Sequence, residues 1–338
     1  MSHDPADLPA APTALPVPFL EFLSPGVAQL VEQLEDYARA AQGAFADNTV
    51  RALGADSRVF AAWCRANGHA MLPALSKTVA AFIDAQAELK APATVSRYRS
   101  SIAALHRAAG VPNPCGDEVV RLAIRRMNRA KGARQRQAEP LNRSAVERMI
   151  KVRAANSSAL LGLRDAALIA VAYDTLVRRS ELVSLRIEDL QRAEDGSGTV
   201  LVRRSKGDQE AQGAVKYLAP DTMSHLDAWL AAAGLRSGPL FRPVTKGGRA
   251  SAGALEAQEV RRLFRKLAAL GNVKMARPPS GHSTRVGAAQ DMLAAGLEMS
   301  EVMQAGSWKS VTMVARYGER LLARRGAARK LATFQDSA

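Results

Sequence analysis

From Pro25 to about Lys131 the apolar residues recur at three- and four-residue intervals, the period of a helix that buries one face. Turn signals at Gly43, Gly68, Pro73, Pro92 and Pro112 cut this pattern into pieces. The pieces predict five helices, over Val27–Ala41, Asn48–Ala66, Ser76–Glu88, Ala93–Ala109 and Asp117–Lys131, with Asn48, Ser76 and Asp117 as N-caps. After Pro140 the helical period resumes at Ser144–Ala154, Leu161–Leu176 and Arg179–Leu185. It then changes. Thr199–Arg203 and Ala214–Leu218 are β-branched or alternating segments around the polar, glycine-containing stretch Lys206–Gly213, which predicts a β-hairpin with a long tip. From Asp221 to Phe334 the pattern is again mostly helical, and no internal repeat is present.

A chain of 338 residues is longer than one hydrophobic core usually serves, so two domains are expected. The patterning divides it into a disordered tail over 1–20, a helical domain over 21–131, a basic linker over 132–140 and a second domain over 141–338. The tail is rich in Pro, Ala and Asp and has neither a basic n-region nor a continuous apolar stretch, so it does not read as a secretory leader. No run of about 18 uncharged apolar residues exists, and no membrane association is expected. Cys64 and Cys115 are too few for a disulfide framework and are not spaced like metal ligands, which points to a reducing cytoplasmic setting; neither a metal nor another cofactor is expected.

Charge narrows the partner. The chain carries 47 Lys and Arg against 32 Asp and Glu, a net +15 that suits a polyanion, because each neutralised phosphate releases condensed counterions. Between Arg121 and Arg136 stand Arg125, Arg126, Arg129, Lys131 and Arg134 with no acid among them. This stretch reads as a basic segment lying along DNA; a solvated helix end followed by a hinge is the plainer reading, and the two are compatible.

Four separated elements of the second half bring chemistry together. Arg178 and Glu181 are three residues apart in Thr175-Leu-Val-Arg-Arg-Ser-Glu-Leu182, and His282 and Arg285 are three apart in Gly281-His-Ser-Thr-Arg285, so each pair shares a helical face. Lys206 stands at the hairpin tip, and Trp308 precedes Tyr317 by nine residues. Breaking a phosphodiester without water or metal needs a nucleophile, cations for the charge on the phosphoryl oxygens and a proton donor for the leaving sugar oxygen. Arginine suits the second task because its planar fork is permanently charged and binds two phosphate oxygens at once. In this chemistry Arg178 and Arg285 would form the clamp, His282 or Trp308 would add a hydrogen bond, Lys206 would be the general acid, and Tyr317 would attack to leave a 3′-phosphotyrosine and a free 5′-hydroxyl. Each element alone has a bland reading, as a surface ion pair, a turn lysine or a packed aromatic.

Their order and spacing, however, resemble the tyrosine recombinase (phage integrase) family, and its Cre-like members in particular. The resemblance rests on Gly281-His-Ser-Thr-Arg-Val-Gly-Ala-Ala-Gln-Asp-Met292, Val302-Met-Gln-Ala-Gly-Ser-Trp308 and Tyr317, and reaches the first domain through Phe60-Ala-Ala-Trp-Cys-Arg65 and Leu105-His-Arg-Ala-Ala-Gly110. It implies a mainly α protein: an N-terminal helical core-binding domain and a C-terminal mixed α/β catalytic domain with a small antiparallel sheet, together a C-shaped clamp on DNA. It implies that Arg178, Glu181, Lys206, His282, Arg285, Trp308 and Tyr317 are the catalytic residues. Arg179 rivals Arg178 by proximity and Lys216 rivals Lys206, although Lys216 falls within the second strand. The DNA-facing residues it implies are Thr49, Arg51, Ser96, Arg97, Tyr98 and Ser101, with Arg125 and Arg126 on the basic stretch and Gln258, Arg261 and Arg262 in the second domain. Gln suits adenine and Arg guanine in the major groove. The chain departs from the Cre-like pattern at several of these positions, which implies a different target.

The same resemblance implies double-stranded DNA with an inverted-repeat site as partner, a dimer on each site and a homotetramer on two duplexes, exchange through a Holliday junction, and no obligatory accessory protein. A tail from about Ala323 to Phe334, with Leu331 and Phe334, would dock in a neighbouring subunit; packing on its own domain is the plainer alternative. Two other readings stay open at this point: a relaxing topoisomerase with the same phosphotyrosine chemistry, and a protein that only occupies DNA sites.

Overall fold

The structure, a computed structural model, describes residues 27–134, 136–155, 159–205 and 212–336. The expected tail over 1–20 lies outside them. The chain divides into two compact units, one ending at Arg136 and the other beginning at Gln137.

The first unit is helical: α1 (Val27–Ala40), α2 (Asp47–Ala66), α3 (Ser76–Leu89), α4 (Pro92–Ala108) and α5 (Glu118–Lys131). Phe82 of α3 is its hub, with the rings of Phe60, Trp63 and Tyr98 at 5.0, 5.5 and 5.8 Å. In α5 the inward positions are Val120, Ala123 and Met127, and the remaining face carries the arginines. Two expected caps are corrected. The cap positions of α2 and α3 are Ala46 and Leu75, so Asn48 and Ser76 fall in the first turn instead. Asp117 does precede α5, but its carboxylate accepts the Ser76 hydroxyl rather than an N–H of its own helix, so one residue expected to cap α3 and another expected to cap α5 satisfy each other. The His106 ring is wholly buried; Nε2 accepts the Ala74 N–H at 3.0 Å, which leaves Nδ1 to donate to the Ile102 carbonyl at 2.8 Å.

The second unit holds two cores. In the larger, α7 (Ala159–Asp174), buried from Ala166 through Ala172, lies between α6 (Arg143–Ala155) and α9 (Pro220–Ala233), with α10 (Ala257–Leu270) against α6. A helix apolar all round is one surrounded by protein, and α7 fits that rule. The smaller core joins α11 (Ser283–Ala295), α12 (Met299–Gly306) and α13 (Val311–Arg325) through Val286, Ala289, Leu293, Val302, Val314 and Tyr317. A short helix, α8 (Arg179–Ser184), and a terminal one, α14 (Ala327–Asp336), complete the helices.

The expected hairpin is present as β2 (Gly198–Val202) and β3 (Ala214–Leu218), paired antiparallel with Val200 opposite Lys216. A third strand, β1 (Leu190–Arg192), pairs with β2 and was not legible, since three residues are too few to show a period. Fold class thus stands as expected, mainly α with a small antiparallel sheet. Among the described residues, no helix is long and apolar enough to cross a membrane.

Candidate active site

Both three-residue pairs occupy the same place on their helices. Arg178 is the N-cap of α8 and Glu181 its third residue; His282 is the N-cap of α11 and Arg285 its third residue. The pairs are therefore presented from helix N-termini, where unpaired N–H groups and the helix dipole favour an anion. Glu181 accepts the Arg178 backbone N–H and its guanidinium, each at 2.8 Å, which fixes the side chain while leaving it 32% exposed. Glu181 itself is buried.

Arg285 is the opposite case, 2% exposed beneath the site. Burying a guanidinium is costly unless its donors are met. Arg285 donates to the Leu176 carbonyl and, at 2.6 Å, to the Gly306 carbonyl, and its guanidinium carbon lies 4.3 Å from the centre of the Trp308 ring. Its Nε has no hydrogen-bond partner among the described residues. Burial, together with the nearby Arg178 charge, lowers its pKa to about 10. Both acceptor carbonyls belong to unusual turns: Leu176 has φ 52° and Ser307, next to Gly306, has φ 50°. Left-handed backbone costs a residue with a Cβ of order 1 kcal/mol and persists where the surroundings impose it. One of these turns leads into Arg178 and the other into Trp308, so Arg285 fixes both from below.

Tyr317 projects from α13 and is 9% exposed. Its hydroxyl lies 2.8 Å from His282 Nε2, and its ring is 5.4 Å from that of Trp308. The phenol is also close enough to Arg285 to act on its charge. Burial and the charges of Arg285 and Arg178 lower the His282 pKa to about 4, so the imidazole is neutral at ordinary pH and has one ring nitrogen able to accept a proton. A close approach holds this face together: a Cβ at Gly306 would overlap the Trp308 ring.

Six of the seven expected catalytic residues, Arg178, Glu181, His282, Arg285, Trp308 and Tyr317, are thereby brought together in one chain. The seventh, Lys206, lies outside the described residues. Its rival Lys216 is inside β3, 7% exposed, with Nζ donating to the Ala305 carbonyl at 2.5 Å and the Ser307 hydroxyl at 2.6 Å. Arg179, the rival of Arg178, lies beside Gly281 and pairs with no carboxylate that the ion pairs of the described residues include.

The DNA-facing residues divide. Thr49, Arg51 and Arg97 are exposed on α2 and α4, Ser96 half-buried, Arg125 and Arg126 exposed on α5, and Gln258, Arg261 and Arg262 exposed on α10. Tyr98 and Ser101 are corrected: Tyr98 packs against Phe82, and the Ser101 hydroxyl donates to buried Asp56 at 2.7 Å, so both are spent inside the first unit. Asp56 also takes Arg97 at 2.8 Å. Sequence reasoning missed Leu176, Gly306 and Ser307, whose role lies in their backbone; it also missed Gln137, which donates to the Arg316 carbonyl next to Tyr317 although it was expected in a linker.

Residues 139–322 match the model of the phage integrase family. The chain is 30% identical over 299 residues to the recombinase Cre of Escherichia phage P1, covering 84% of this chain and 87% of that one. It is 32% identical over 287 residues to an integrase/recombinase XerD homologue of Selenomonas ruminantium, covering 81% and 82%. Among solved structures, the XerH site-specific recombinase bound to palindromic difH substrate in a post-cleavage complex shares the fold with a TM-score of 0.64, over 92% of this chain and 91% of that one, at 16% identity.

Proposed function

The chain belongs to the phage integrase family, and from that premise we propose that it is a site-specific DNA recombinase that cuts and rejoins duplex DNA through a phosphotyrosine at Tyr317. The observation that carries this is the 2.8 Å contact between the Tyr317 hydroxyl and His282 Nε2, made beside Arg178 and above Arg285. It supports cleavage within one protomer, the nucleophile coming from the same chain as the cations.

In the forward step the Tyr317 oxygen forms a bond to phosphorus while the bond from phosphorus to the 5′-oxygen breaks. The phenolic proton passes to neutral His282, and Lys206 protonates the departing 5′-oxygen. Arg178, the more exposed guanidinium, receives the non-bridging oxygens; Arg285 adds its charge from below, with its unpaired Nε as a donor. Glu181 keeps Arg178 extended. Lys206 is preferred to Lys216 as the acid because the Lys216 ammonium is already committed to protein oxygens. Rejoining is the reverse attack by a 5′-hydroxyl, and the ester conserves bond energy, so no nucleotide is consumed.

Both units take part in DNA binding in this reading, through Thr49, Arg51, Ser96, Arg97, Arg125 and Arg126 in the first and Gln258, Arg261 and Arg262 in the second. Inverted repeats match a dimer on each site, and a tetramer joins two sites and passes through a Holliday junction. Leu331 and Phe334 of α14 are exposed and serve as the contact with the neighbouring subunit. Selection of bound and recombined sequences from a randomised palindromic library tests the function. Inverted repeats flanking a short spacer are the expected product; relaxation of any plasmid without sequence preference would replace recombination by topoisomerase activity.

A further inference from the structure

Helix α12 ends at Gly306 with the carbonyls of its last turn turned toward two buried cations. Arg285 takes the Gly306 carbonyl, while Lys216 takes the Ala305 carbonyl, the Ser307 hydroxyl and, at 3.4 Å, the Gln304 carbonyl. Cations at a helix C-terminus meet both its orphan acceptors and its negative dipole end. The source of Lys216 is unusual. In β3 the inward positions are Lys216 and Leu218, so a lysine occupies a place that alternation reserves for an apolar side chain. Such burial is costly for an ammonium, and here each of its three N–H groups has an oxygen to meet. The segment it grips contains the left-handed Ser307, and the next residue is Trp308.

We propose that Lys216 is a positioning residue of the recombination site: from β3 it clamps the end of α12 so that the Ser307 turn holds Trp308 between Arg285 and Tyr317. The kinetic consequence rests on the recombinase reading given above. Desolvation and the Arg285 charge lower the Lys216 pKa to about 8, with Glu181 acting in the opposite sense, which fits an ammonium held close to the catalytic charges.

The test compares wild type, Lys216→Met, which removes the donors, and Lys216→Gln, which keeps an N–H donor without the charge. Proteins labelled with 5-fluorotryptophan give fluorine signals for Trp63, Trp229 and Trp308, the last assigned from Trp308→Phe. Single-turnover cleavage is then measured on a library-recovered site with an ordinary scissile phosphate and with a 5′-bridging phosphorothiolate, whose thiolate leaves without a proton. A positioning residue predicts that in Lys216→Met the Trp308 signal moves while those of Trp63 and Trp229 stay. It also predicts DNA affinity within about threefold of wild type, and cleavage about 30-fold slower on both substrates, with Lys216→Gln between. Unmoved Trp308 and wild-type rates in both variants would overturn the proposal, as would a defect that the sulfur substrate relieves, which would make Lys216 the acid. If Lys216→Met fails to fold, the Gln variant decides. Absence of an adduct with wild type on every recovered site counts against the recombinase reading instead, and the fluorine signal still decides whether Lys216 sets Trp308.

Discussion

The protonation of His282 is where burial turns into chemistry. An imidazole ordinarily titrates near 6.5, but this one loses hydration and faces two guanidinium groups, so its pKa falls to about 4. In the DNA-free protein, long-range proton–nitrogen NMR of the imidazoles should show His282 neutral from pH 8 down to about 4; a midpoint near 6.5 would contradict the geometry. His106 is displaced in the same direction by burial. A folded pKa below the unfolded one means that the unfolded chain binds the extra proton first. Stability from these two residues is therefore complete above about 6.5 and is lost as pH falls through that value toward the folded pKa. Urea unfolding at pH 7.5 and 5.5 should show the loss, and His106→Gln should reduce it. No reading of the sequence reaches this, because burial is the largest cause of both shifts, and one of the charges acting on His282, that of Arg178, comes from a distant part of the chain.

At the scale of elements, α5 and α10 both turn arginines outward, and they are expected to do different work. Arg125 lies in a basic stretch without acids, suited to phosphates, which position a protein without specifying sequence. Arg125→Ala should weaken binding alike on all sequences and reduce the salt slope by about 0.9. Arg261 on α10 stands where a base contact is expected, and Arg261→Ala should relax preference at one base pair at a cost of about 1–3 kcal/mol. Binding titrations against salt and against single-base site variants separate the two, and interchange of the outcomes would reverse the assignment. Elements of this length were legible: α1 through α5 follow from helical periodicity cut by Gly and Pro turn signals, and the β2–β3 hairpin from β-branched or alternating segments. β1 was not, and neither were the true N-caps, since Ala46 and Leu75 carry no capping group and Ser76 spends its hydroxyl on Asp117. Tyr98 and Ser101 show the same limit from the other side, for a helix known to carry them does not reveal which face meets Phe82 and Asp56.

For the whole molecule, the tail and the nucleophile should be separable. Deleting residues after Gly326 removes α14, with its exposed Leu331 and Phe334, while leaving Tyr317 in α13. That truncation should bind single sites and fail to pair them in a gel-shift assay of synapsis; normal recombination would show that α14 is not the bridge between subunits. Among the described residues, the groups proposed to act on the phosphate, Arg178 and Glu181 at α8, His282 and Arg285 at α11 and Tyr317 in α13, by contrast belong to one unit and need no second chain to meet. The most direct measurement is therefore to trap the covalent complex on a 5′-bridging phosphorothiolate site and map the modified peptide by mass spectrometry. The account predicts nucleotide attached through the 3′-phosphate to Tyr317 in wild type and no adduct in Tyr317→Phe. An adduct that persists in the Phe variant, or maps to another residue, would contradict it.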